Sequence, residues 1–179
     1  HSNTAMGKRA LQTNTTGIQN TSLGASSMSA NTEGATNTAV GENALASNTT
    51  ASSNTAVGSA ALTTNTTGTA NVAFGSLSAD ANTTGSYNTA IGYGTLTSNT
   101  TGHDNTACGI NSLAANTTAH YNTAVGSGAM EGCTTGEYNT AVGNLAMDAV
   151  LTGNFNTAIG RAALGANTTG SSNCAVGIN

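Results

Sequence analysis

One five-residue theme, Asn-Thr-Ala-Val-Gly at residues 37–41, returns every 17 residues along the whole 179-residue chain, and this fixed period constrains the fold more than any other feature. The theme opens at Asn3, Asn20, Asn37, Asn54, Asn71, Asn88, Asn105, Asn122, Asn139, Asn156 and Asn173, with no insertion or deletion. Self-similarity at a period near 20 residues is the pattern of a solenoid, in which one coil cannot bury its apolar face alone and stacks on the next. The spacing predicts an all-β fold, a parallel β-solenoid of about ten 17-residue coils forming a single domain over residues 1–179. Helix is disfavoured, because Gly, Asn and Thr recur too often and no window keeps an apolar period of 3.6.

Numbering each coil from its leading Asn gives every column a reading. Position 4 is apolar throughout and includes Val40, Val57, Phe74, Ile91, Val125, Val142 and Ile159. Position 9 is a second apolar column, with Leu45, Leu62, Leu96, Leu113 and Leu164. Both are expected to point inward as the core. Where position 9 shrinks to Ala79, the same coil carries Phe74, Val72 and Leu77, which suggests that volume lost on one wall is returned by the others. Alternation along an extended strand then places the position 3 alanines, Ala39, Ala56, Ala73, Ala90 and Ala107, on the outer face. With Ala44, Ala61 and Ala129 at position 8 they are expected to form a flat surface for another chain.

Gly closes the theme at position 5 in all eleven coils and stands at position 15 in eight of ten, as expected where corners need positive φ or close backbone approach. Asn marks two corners. Position 1 includes Asn37, Asn54, Asn88, Asn105 and Asn122, and position 12 includes Asn48, Asn65, Asn82, Asn99 and Asn116. Stacked amides of this kind form ladders that satisfy polar groups away from water.

Charged residues make up 6% of the chain, and the net charge of -4 leaves Lys8, Arg9 and Arg161 as the only fixed cations. No basic patch exists, so no nucleic-acid partner is expected. No run of 18 apolar residues exists, so no membrane insertion is expected either. The chain lacks a signal-peptide pattern, begins inside a repeat and carries no capping repeat. It therefore reads as a segment of a longer fibre or as a subunit that polymerises end to end.

The Asn-Thr-Ala-Val/Ile-Gly units at 37, 54, 88, 122, 139 and 156, with an Ala-Leu pair and a recurrent Asn-Thr-Thr-Gly turn, resemble the head repeats of trimeric autotransporter adhesins. They are similar also to repeats of phage tail fibres and bacterial surface fibres. The resemblance spans essentially the whole chain. It implies a parallel β-roll, often trimeric, exposed outside a cell or on a virion; the expected partners are further copies of the chain and, through the aromatic residues at position 17, a glycan or cell-surface receptor. The period here is longer than that of the adhesin head.

No catalytic constellation or cofactor motif is present, and a non-enzyme is expected. His103 and His120 share position 16 in adjacent coils, too few donors for a metal site. Cys108, Cys133 and Cys174 occupy three different positions in three coils, so a disulfide is not expected. Tyr87, Tyr121, Tyr138 and Phe155 share position 17, interrupted by Asp104, and are the candidate surface contact, stacking on sugar rings or packing against a partner chain. Asn-Thr-Thr at 14, 48, 65, 82, 99, 116 and 167 matches a glycosylation acceptor pattern. The favoured function is a structural rod of an extracellular fibre or adhesin. The alternative is an ice-binding solenoid, which needs two outward Thr at alternate residues of a flat strand. On the sequence, the nearest pair is position 12 with position 14, Asn and Thr.

Overall fold

The structure is a computed structural model and describes residues 2–178. Eleven three-residue strands follow in chain order: β1 (Thr4–Met6), β2 (Thr21–Leu23), β3 (Thr38–Val40), β4 (Thr55–Val57), β5 (Val72–Phe74), β6 (Thr89–Ile91), β7 (Thr106–Cys108), β8 (Thr123–Val125), β9 (Thr140–Val142), β10 (Thr157–Ile159) and β11 (Cys174–Val176). They form one parallel sheet in sequential order. Each residue pairs with the one 17 further on, as in Thr38 with Thr55 and Val40 with Val57. The fold is the all-β solenoid, with no helix among the described residues. At about 4.8 Å per coil, ten coils give a rod roughly 50 Å long.

Stacking does not stop at the strands. Backbone N–H groups at positions 2, 9 and 13 donate to the following coil, as in Thr38 to Asn54, Leu45 to Ala61 and Thr49 to Thr66. Those at positions 5, 7 and 17 donate to the preceding coil, as in Gly41 to Leu23, Asn43 to Ala25 and Ser53 to Ala35. The corners are therefore hydrogen-bonded rung to rung like the strands, and the whole circumference is a continuous ladder.

Three corners per coil, at positions 7, 9 and 17, hold the left-handed conformation, and nearly all of them carry residues other than Gly. Position 9 is the unusual one: Leu45, Leu62, Leu96 and Leu113 all sit at φ 51. Left-handed backbone costs an L-residue roughly 1–2 kcal/mol. Here the inter-coil hydrogen bond of the same residue and full burial of its side chain offset that cost. Gly at position 5 is itself at positive φ, 134 for Gly41. Gly at position 15 serves a different need, since a Cβ on Gly34 would collide with the Ala51 carbonyl oxygen and the Asn31 amide oxygen.

The interior differs from the sequence expectation in one respect that reorganises the surface. Ala39, Ala56, Ala73, Ala90 and Ala107 have no exposed surface and point inward, as do Ala44, Ala61 and Ala129. Position 4 points outward. Phe74 is 57% exposed, Ile91 41%, Val125 38% and Ile159 43%, and Val40 and Val142 are comparably open, while Val57 is half-buried. Phe74 and Val72 consequently return no volume to the core beside Ala79. The reason is space: Leu45, Leu62, Leu96 and Leu113, fully buried at position 9, share the narrow lumen with two columns of Asn, and the wall opposite has room only for a methyl group. Leu164, near one end, is partly buried against this core.

Candidate interaction surfaces

The Asn columns lie inside the coil and fix the geometry of every outer face. At position 1 the amide oxygen accepts the backbone N–H of the next leading Asn: Asn54 to Asn37 at 2.9 Å, Asn71 to Asn54 at 2.9 Å and Asn105 to Asn88 at 3.1 Å. The amide nitrogen donates to the position 15 carbonyl of its own coil, as from Asn37 to Ala51 and from Asn122 to Gly136. At position 12 the bond is amide to amide. Asn48 donates to Asn31 at 2.7 Å, Asn82 to Asn65 at 2.8 Å, Asn99 to Asn82 at 2.8 Å and Asn116 to Asn99 at 2.8 Å. Because these Asn side chains are buried, the Asn-Thr-Thr matches at 48, 65, 82, 99 and 116 are inaccessible to a glycosylating enzyme in the folded rod.

The second ladder is broken once. Position 12 reads Cys133 and Val150 in two consecutive coils, so nothing donates to the amide oxygen of Asn116. That oxygen is the one buried side-chain polar atom without a partner among the described residues. The Cys133 thiol points to the Gly136 carbonyl instead, and burial pushes its pKa from 9.0 up to about 11.

The first outer surface is the sheet face. Positions 2 and 4 alternate with the buried position 3, so the face carries a Thr column beside an apolar column: Thr38 and Val40, Thr89 and Ile91, Thr123 and Val125, Thr140 and Val142, Thr157 and Ile159. No charged residue occupies either column. Tyr93 and Ile110, both 55% exposed at position 6, widen the apolar strip beside β6 and β7.

The second surface is the corner before the strand. Tyr121 stacks on Tyr138 with ring centroids 4.8 Å apart, and Tyr138 stacks on Phe155 at 5.2 Å. His103 and His120 stack at 3.7 Å, and the edge of Tyr121 meets His103 at 5.3 Å. Nδ1 of His103 lies 2.8 Å from a carboxylate oxygen of Asp104, and Nδ1 of His120 accepts the backbone N–H of His103 at 3.1 Å. Burial, and secondarily the neighbouring His103, hold the His120 pKa below its ordinary value. Tyr87 stands apart, 62% exposed, beyond the gap left by Asp104.

Among the described residues no group of three or more His, Cys, Asp or Glu side chains is placed to hold a metal ion. Among the described residues no helix is long and apolar enough to cross a membrane. Cys108, Cys133 and Cys174 are free. No family model, curated protein or solved structure matches the chain. The reversal of positions 3 and 4 is what sequence reasoning missed. The only cue was indirect: position 3 is uniformly small and position 4 varies from Val to Phe, as an unconfined site would.

Proposed function

We infer that the chain is a structural rod of an extracellular fibre or adhesin shaft, and that its sheet face is where copies of the chain pack side by side. One observation carries this reading: an uncharged column from Val40 through Ile159 along the rod, exposed at Val40, Phe74, Ile91, Val125, Val142 and Ile159 and half-buried at Val57 and Cys108. Scattered exposed apolar side chains are ordinary, whereas a contiguous strip marks an interaction surface. Identical columns in parallel chains meet like on like about a rotation axis, so the assembly is closed and cyclic. The count of three comes from the resemblance to adhesin heads. The interface is not the alanine surface expected from sequence, since those alanines are interior. In this reading the role is mechanical and non-catalytic: a stiff shaft that holds a receptor-binding or glycan-binding element away from a surface.

Light scattering on the purified chain tests the assembly. A mass three times that of the chain is expected, falling to a single chain in Val125→Asp with the coil structure retained by circular dichroism. A wild-type monomer at micromolar concentration would refute it.

A second reading is favoured by the same face. Thr at position 2 and Val or Ile at position 4 form an in-register array of hydroxyls and methyls at alternate residues of each strand, closer to an ice-binding face than the position 12 and 14 pair. That reading needs the face uncovered, so it predicts a monomer with thermal hysteresis that is abolished by Thr123→Tyr. A trimer without hysteresis eliminates it.

A further inference from the structure

The corner column at position 17 is a series of stacked planar groups with one place left open. Tyr121, Tyr138 and Phe155 cover one another's faces. One coil earlier the column holds Asp104, whose short side chain leaves a cleft of about 250 Å³ between Tyr87 and the histidine pair. The cleft is lined by Thr84, Ser86, Tyr87, Thr101, His103 and Asp104. We propose that this cleft binds a neutral saccharide ring.

Each part of the lining matches one part of such a ligand. A pyranose has apolar C–H faces and an equatorial rim of hydroxyls. The exposed ring of Tyr87 and the imidazole of His103 offer flat surface to the faces. His103 is itself held in place by its stack on His120 and by its hydrogen bond to Asp104. Of the two carboxylate oxygens of Asp104, only one is engaged by His103, so the other is free to accept from sugar hydroxyls as a charge-assisted pair. The hydroxyls of Thr84, Ser86 and Thr101 serve as further donors and acceptors. Electrostatics narrows the class. Asp104 lies in the cleft, Glu137 shares the same face, and no Lys or Arg lies in that stretch of the chain, so the fixed charge that an acidic sugar would meet is of like sign. Tyr121, Tyr138 and Phe155 are not the primary contact because none of them lines the cleft, although Phe155, at the end of the stack, is covered on one face only.

The proposal does not rest on the assembly reading. The cleft lies at positions 14 to 17, not on the outward positions of the strand, and it is complete within one chain.

The test is saturation-transfer difference NMR on the full chain, using methyl glycosides of glucose, galactose, mannose and N-acetylglucosamine at millimolar concentration, with N-acetylneuraminic acid as the acidic comparison. At least one neutral glycoside is expected to give a titratable signal, and the acidic sugar none. Tyr87→Ala and Asp104→Asn should each weaken binding roughly tenfold or more, since each removes an aromatic or charge-assisted contact. Tyr87→Phe should retain it and Phe155→Ala should leave it unchanged. Tyr87 is exposed, so an unchanged melting temperature separates loss of binding from loss of fold. Absence of signal from every neutral glycoside, equal binding by Tyr87→Ala, or loss of binding in Phe155→Ala would each overturn the proposal.

Discussion

The interrupted amide ladder gives a quantitative test of what holds the coils together. Cys133→Asn alone supplies a donor to the Asn116 oxygen, but its own amide oxygen then faces Val150, so the unpaired acceptor moves up one coil without disappearing. Val150→Asn alone is reached by the Nδ2 of Asn167 and leaves Asn116 unpaired. Only the double variant runs the ladder unbroken from Asn116 to Asn167. Relative to the sum of the single changes it makes one further amide–amide bond, to an acceptor that would otherwise be orphaned, and satisfying such a buried acceptor is worth about 1–3 kcal/mol. A coupling of about 1–3 kcal/mol in favour of the double variant is expected. The thermodynamic cycle cancels the burial lost with Cys133 and Val150, so the sign holds even if both single variants are less stable than wild type. Urea unfolding at one fixed protein concentration, read by circular dichroism for all four chains, measures it. Additivity within about 0.5 kcal/mol would refute the claim that the stacked amides contribute beyond filling space.

Further expectations follow from the same geometry. Ala56 is fully buried, so Ala56→Leu overpacks the lumen and should cost about 1–3 kcal/mol or more. An unchanged denaturation midpoint would mean that position 3 faces solvent after all. Leu62→Ala should cost about 2–5 kcal/mol by opening a cavity, measured by the same unfolding curves. The Cys133 thiol, raised from 9.0 to about 11, is held neutral by the fold. Its contribution is complete below pH 9 and is lost as pH rises toward 11, on the order of 3 kcal/mol at most, a dependence absent from Cys133→Ala. A thiol reagent at pH 8 should therefore modify exposed Cys174 quickly and Cys133 only on unfolding. His120 has the opposite sign: its pKa is lowered, so its stabilising effect is present above 6.5 and is lost as pH falls below it. The melting temperature should drop on acidification in that window and should do so less in His120→Phe.

The coil length, the register and the all-parallel order were legible in the sequence, because identical residues at a fixed spacing satisfy one another when directly stacked. Asn37 over Asn54 and Val40 over Val57 need no knowledge of the corners. The columns that became ladders were legible for the same reason. The corners were less so: Leu45 and Tyr87 hold left-handed backbone with no glycine to announce it, since the hydrogen bond that compensates comes from a neighbouring coil and not from local sequence.

Which side of the strand faces in was decided by the tertiary structure alone. Period-two alternation states that Ala39 lies opposite Thr38 and Val40, and nothing more. Ranking by hydrophobicity puts Val40 inside. The lumen is already occupied by Leu45 and by the amides of Asn37 and Asn48, so the remaining volume admits a methyl group and excludes an isopropyl. The valines are left on the outside, where they define the face on which the proposed assembly depends.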